Sequence, residues 1–486
     1  MIERVPSARS EYFDRLLFVK VRSEAATAPA AKKAGTILPA SLGMVVAPGA
    51  LPMPGALARM HRTGLVRRLT PVGRAAVAKG KAVKSFAMPA AFIGTKSEER
   101  GARLTAGVSL VEMEHASDVR TAQDELANDP SVEFVSRVPI RYFLARAPRR
   151  RAKASLTAAK AAPASGSPWN LRKIRWREAR ALPHFKDADK VKVAVLDTGV
   201  DGKHPDLAGR VAAYHWQHPD TPSVSGPNDI VGHGTHVSGT IAAAINNGLG
   251  INGICRCKLS VWKIFSDETI YDEWSDIFTY VVEPVMYIRA LADCLDEGVD
   301  VINLSIGGPG KPDAQELQLF NALMANGTTI VAAMGNERED GSPTSYPAAI
   351  PGVVAVGATS IDDSVANFSN RGDHISVCAP GKAIWSTLPT YPGQDGFEAA
   401  HDGGGPPKEG KPLRRETDYD SWSGTSMATP HVTAAAALAI AKSGVHDSDK
   451  TKTLLEKKAA RVPGMSGKPF HPDYGHGRLD LYALLR

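Results

Sequence analysis

Cysteine is scarce in this chain: Cys255, Cys257, Cys294 and Cys378 are the four among 486 residues. Four thiols cannot staple a fold of that length, and such low usage suits a reducing compartment. No apolar run approaches the roughly eighteen residues that a membrane-spanning helix needs, so no membrane partner is expected. Positive charge is missing where an export signal would carry it. Glu3, Glu11 and Asp14 stand there instead, and Lys20 interrupts the only short apolar run near the start. The expected location is therefore cytoplasmic.

Hydrophobic residues make up 43% of the chain, enough for one large core and a smaller unit. The net charge of +7 conceals a division. Residues 1–160 hold 27 Lys and Arg against 13 Asp and Glu, whereas residues 161–486 hold 31 against 38. A basic arm can serve nucleic acid, but an acidic partner within the same chain accounts for the asymmetry, and no nucleic-acid partner is expected.

Residues 1–105 give little beyond a strand over Leu16–Val21 and another over Met44–Val46. From Gly107 the pattern sharpens. Gly107–Met113 reads as a strand, Ala116–Ala127 carries Val119, Ala122 and Leu126 at helical spacing, and Val132–Ala145 reads as a second strand, together a β-α-β unit over 107–145. A basic, Ala/Pro/Ser-rich linker over 147–168 separates this N-terminal region, 1–146, from a unit over 169–486. There, short apolar strands at Val191–Leu196, Leu259–Phe265, Val299–Leu304, Thr328–Met334 and Val353–Val356 alternate with helices at Tyr287–Glu297 and Ala314–Asn326. That alternation predicts an α/β fold with a mostly parallel central sheet and helices on both faces, its sites at the carboxyl ends of strands. Two long segments, Ser266–Pro284 and Tyr391–Ser421, are expected to be loops, either flanking the site or solvated.

Four motifs stand at such strand ends or helix starts: Asp197 in VAVLDTGVDGKHPDL, His233 in GHGTHVSGT, Asn336 in VAAMGNE and Ser426 in SGTSMATPH. Each alone has a plain reading: a turn, a glycine-rich loop, a helix cap. Other chemistries lack a part. A metalloprotease helix needs a glutamate and a third ligand, an aspartic protease needs a second DTG, and a dinucleotide site needs GxGxxG spacing. Together the four supply a hydroxyl nucleophile, an imidazole base, a carboxylate to hold its tautomer, and an amide for the oxyanion.

On these motifs the region from about Trp169 to Leu485 resembles the subtilisin-like serine proteases, the subtilase family. The resemblance implies that Asp197 orients, His233 is the general base, Ser426 the nucleophile and Asn336 the oxyanion donor, with no cofactor required for the chemistry. It implies a substrate-pairing strand at Ser305, Ile306, Gly307 and Gly308, and Glu337 at the rim of the P1 pocket. It also implies two ligand positions of a structural calcium site, Asp206 and Asn247. The 107–145 unit resembles the later part of the family's propeptide, which makes the N-terminal region a small α+β inhibitor and folding aid within the chain, or a permanent regulatory domain. Protein or peptide substrates follow. The acidic segment Asp267–Asp276 and Glu337 suggest cleavage after basic residues, with self-processing near Arg146–Lys153. A silent peptide-binding protein on the same fold, and an esterase with the same triad, are the competing readings.

Overall fold

A computed structural model describes residues 9–22, 55–72, 100–144, 168–216, 226–401 and 404–486. The strand expected over Met44–Val46, and the linker apart from Pro168, lie outside the described residues.

Seven strands form the central sheet, each parallel to its neighbours, in the order Val377–Pro380, Val354–Thr359, Thr329–Ala333, Val301–Leu304, Lys192–Asp197, Lys258–Lys263 and Val211–His215. Both faces are covered. Val193 and Val195 pack into one core, while Ala194 and Leu196 between them pack into the other. A strand buried on both faces reads as an unbroken apolar run, which is why the five expected strands are all present. The two that sequence reading missed are the outermost. Val211–His215 is only half-buried, and Val377–Pro380 is four residues long and ends in proline.

Helix Thr425–Ser443 crosses behind this sheet, buried from Thr425 through Ile440. Its alanines allow close contact with the strands. Pro430 within it removes the N–H that would have bonded the Ser426 carbonyl. That carbonyl accepts instead from the Ser305 hydroxyl, at 3.0 Å, so the proline helps lock the helix start onto the strand that carries Ser305.

The N-terminal region forms its own sheet, antiparallel throughout, in the order Val66–Pro71, Val108–Met113, Tyr12–Val21, Val132–Pro139. Helices Gly55–Arg62 and Val119–Ala127 close its apolar face through Leu57, Met60, Ala122 and Leu126. The expected β-α-β unit is therefore split, because Tyr12–Val21 lies between its two strands. The expected single strand over 132–145 is also broken. Val132–Pro139 stays in this sheet, whereas Tyr142–Phe143 leaves it for another.

That other sheet corrects the two expected loops. Residues 266–284 contain the hairpin Phe265–Asp272 with Ile277–Val282, and residues 391–421 contain Gln394–Ala400 with Lys408–Arg414. The two insertions pair with each other, Phe278 opposite Phe397, and the sheet continues through Tyr142–Phe143 to Ile306–Gly307. Glycine and proline within these strands, and partners more than a hundred residues away, hid the pattern. Among the described residues, no helix is long and apolar enough to cross a membrane.

Candidate active site

Asp197 ends its strand, His233 begins helix His233–Ala242, and Ser426 is the second residue of its helix. Asn336 lies just past strand Thr329–Ala333. Nδ1 of His233 lies 2.7 Å from Oδ1 of Asp197, which also accepts the Thr198 N–H at 2.7 Å. Both side chains are buried. Nε2 of His233, also buried, has no hydrogen-bond partner among the described residues, and the Ser426 hydroxyl is turned to the Ser305 carbonyl at 2.8 Å. Rotation of that hydroxyl toward Nε2 would complete a hydrogen-bonded chain of serine, imidazole and carboxylate, in which the serine proton can pass to Nε2.

The loop before His233 is held by the buried Asp229. Its carboxylate accepts from the Thr198 hydroxyl, the Gly232 N–H and both the N–H and hydroxyl of Thr235. Gly234 has no alternative, since a Cβ there would lie 2.1 Å from the Gly199 carbonyl oxygen and 3.1 Å from the Asp197 Cβ. Thr425 sets the amide: Oδ1 of Asn336 accepts its N–H at 2.9 Å and its hydroxyl at 3.0 Å, which leaves Nδ2 as the donor end. Sequence reading missed Asp229, which stands just ahead of its motif, four residues before His233, and Thr425, which stands inside its motif, one residue before Ser426.

The groove between Ile306–Gly307 and Ile277–Val282 contains the chain's own strand. Tyr142 lies opposite Gly307 on one side and Val281 on the other, and Phe143 lies opposite Ile306. The Leu144 carbonyl accepts the Ser426 N–H at 3.3 Å, and the Leu144 N–H donates to Ser426 Oγ at 3.1 Å. Leu144 is buried against Gly307, where a Cβ would lie 2.7 Å from Leu144 Cδ1 and 2.4 Å from Ser345 Oγ, so glycine keeps this pocket open. The Phe143 ring stands 5.5 Å from that of His233. Gly308 pairs with Tyr346 and floors the strand's approach.

Glu337 is not a free anionic rim. Its Oε2 accepts the Asn336 N–H at 2.8 Å and the Asn370 amide at 3.1 Å, while Oε1 faces Arg9 at 3.4 Å. Arg9 also pairs with Asp272 and lies over the rings of Tyr142 and Trp274. Among the described residues, the expected charge complementarity is carried by Arg9 and by Arg141, whose guanidinium meets Glu316 at 2.9 Å. Arg146–Lys153 lie outside the described residues, and the residue seated at Ser426 is a leucine, not a base.

Two further histidines flank the site as neutral packing groups. Burial, and then the neighbouring His233, push His236 down to about 3, its ring stacked on Trp422. Burial pushes His431 down to about 4. Arg415, in the second insertion, ties it to the loop before His233 through the Asp229 and Ile230 carbonyls.

The residues at the expected calcium positions do not fit a cation. Asp206 accepts from the Asn247 amide at 2.7 Å, the Ile251 N–H at 2.9 Å and the Tyr419 hydroxyl at 2.9 Å. Three donors occupy the carboxylate where a hard cation would require oxygen ligands, and Tyr419 comes from an insertion. No group of three or more His, Cys, Asp or Glu suited to a metal occurs among the described residues. EGTA should leave the melting temperature of the purified protein unchanged within about 1 °C, whereas loss of a structural calcium would lower it by several degrees.

Residues 188–477 match the model of the subtilase family, a peptidase family. Subtilisin amylosacchariticus of Bacillus subtilis subsp. amylosacchariticus is 30% identical over 388 residues, 79% of this chain and 84% of that protein. A match of 388 residues does not fit between residue 188 and the end of a 486-residue chain, so the similarity reaches into the N-terminal region. Thermitase of Thermoactinomyces vulgaris is 34% identical over 296 residues, 61% of this chain and 88% of that protein. The crystal structure of fervidolysin from Fervidobacterium pennivorans, described as a keratinolytic enzyme related to subtilisin, superposes with a TM-score of 0.60 at 24% identity. It covers 98% of this chain and 61% of that one, a likeness of fold.

Proposed function

The chain belongs to the subtilase family of serine endopeptidases, and from that membership we propose that Ser426, His233, Asp197 and Asn336 are its catalytic residues and that residues 9–144 inhibit it as a bound, substrate-like propeptide. The hydrogen bond from Ser426 N–H to the Leu144 carbonyl carries this reading. A strand added between Ile306–Gly307 and Ile277–Val282 is how a protease holds extended peptide, and Leu144 then stands at P1.

In the reaction Nε2 of His233 removes the Ser426 proton as Oγ attacks the P1 carbonyl carbon. Asp197 stabilises the imidazolium through Nδ1–H. The oxyanion is stabilised by Ser426 N–H and Asn336 Nδ2. His233 returns the proton to the leaving amine, the C–N bond breaks, and water attacks the acyl-enzyme with the same base in use. The 5.5 Å contact between Phe143 and His233 screens the base from solvent on the P2 side.

The bond that faces Ser426 is Leu144–Ala145, so self-cleavage should occur there. Mass spectrometry of the purified chain should give a fragment ending at Leu144 and a mature protein beginning at Ala145, both absent from Ser426→Ala. A mature start within Arg146–Lys153 would mean a shifted register in the groove. An intact chain with full activity would make residues 9–144 a permanent domain.

A further inference from the structure

The buried ion pair between Arg141 and Glu316 belongs to the groove rather than to the N-terminal domain. With Leu144 at P1, Phe143 is P2, Tyr142 P3 and Arg141 P4. The Arg141 carbonyl accepts the Val282 N–H at 3.0 Å, which continues the ladder of the added strand to this position. Its side chain enters a pocket walled on the enzyme side by Val282, Pro284, Tyr287, Ile288, Asp313 and Glu316, and on the other side by Phe18, Val138 and Pro139 of the N-terminal domain. Both members of the pair are 1% exposed. One guanidinium nitrogen, Nη2, donates to Glu316 Oε2 at 2.9 Å, and the other, Nη1, donates to the Gly310 carbonyl at 2.7 Å. The second Glu316 oxygen accepts the Tyr287 hydroxyl at 2.9 Å. Two donors of one planar group meet two separate fixed acceptors, Glu316 and the Gly310 carbonyl, which suits arginine and not lysine.

We propose that Glu316 makes this protease select arginine at P4, ahead of a large apolar residue at P1, in the peptides it cleaves. The inference rests on reading residues 141–144 as a bound substrate strand. The two shorter hydrogen bonds of the Arg141 side chain, to Glu316 and to the Gly310 carbonyl, reach the enzyme side. The third, at 3.5 Å, goes to the carbonyl of the preceding residue, Ile140, which a peptide also carries, so a peptide that replaced residues 141–144 would meet the same carboxylate. A peptide with a small P4 side chain would cover Glu316 without supplying a cation, and a covered, unpaired carboxylate is strongly unfavourable. The second carboxylate of the pocket does not compete for the cation. Asp313 caps helix Ala314–Ala325 by accepting the N–H groups of Gln315 and Glu316, and burial, reinforced by Glu316, raises it to about 7.

The test uses enzyme matured from the full chain and fluorogenic peptides Arg-Tyr-Phe-Leu, Lys-Tyr-Phe-Leu and Ala-Tyr-Phe-Leu, with kcat/KM as the readout. Arginine should exceed alanine at P4 by roughly 100-fold, the cost of truncating one partner of a buried charge pair, with lysine between. Glu316→Gln, close to isosteric, should reduce the arginine preference to about threefold or less. Cleavage after leucine at equal rates in all three peptides would overturn the P4 assignment and leave the substrate-strand reading intact. No cleavage of any peptide, in a protein whose Ser426 a fluorophosphonate still labels, would overturn both. If Glu316→Gln does not fold, the wild-type ranking decides the question alone.

Discussion

Ser426→Ala should lower kcat on a peptide substrate by about 10⁶-fold, the order of loss expected when a triad loses its nucleophile. That corresponds to about 8 kcal/mol of transition-state stabilisation. The size follows from the way the site is divided. On the proposed mechanism Oγ supplies the nucleophile, while the proposed oxyanion donors, Asn336 Nδ2 and the backbone N–H of residue 426, survive the substitution. The residual rate should therefore stay above the uncatalysed one. The fold should be preserved, since the helix start is tied down by the bond from the Ser305 hydroxyl to the carbonyl of residue 426, a backbone group that alanine keeps. Steady-state hydrolysis of Arg-Tyr-Phe-Leu peptides, with a melting curve as the check on folding, measures both. A well-folded variant that loses less than tenfold would refute Ser426 as nucleophile.

Asp197→Asn should cost on the order of 10⁴-fold, the loss typical when the carboxylate of such a triad becomes an amide. Two donors, His233 Nδ1–H and Thr198 N–H, converge on Oδ1 at 2.7 Å each. An amide oxygen can remain there, so the ring keeps its place. What disappears is the negative charge facing the imidazolium that forms when His233 takes the serine proton, in a site with no solvent to replace it. KM should change little while kcat carries the loss. A comparable rise in KM would indicate that the substitution had disturbed the groove.

The proposed triad and its amide could be singled out in the sequence because each group needs a particular chemistry at a particular kind of position. Asp197, His233, Asn336 and Ser426 all sit at strand ends or helix starts, and local sequence marks both with glycine and with changes in apolar period. The parallel strands were legible for a related reason: two-sided burial writes itself into Val193–Leu196 as continuous apolar character. Tyr214 and His215, on an edge strand facing partly to solvent, leave no such trace.

The sequence by itself determined the class of chemistry and singled out the residues proposed to perform it, because both depend on residue type and local backbone. Only the tertiary structure decided what meets them. Leu144 lies at Ser426 across 282 positions, and Arg141 at Glu316 across 175. The Asp206 carboxylate is taken by Tyr419 from 213 positions away. The two long segments read as loops become strands because each supplies the other's hydrogen bonds. Contacts of this range depend on pairing register and on burial of both partners together, and neither quantity is a property of any short stretch of chain.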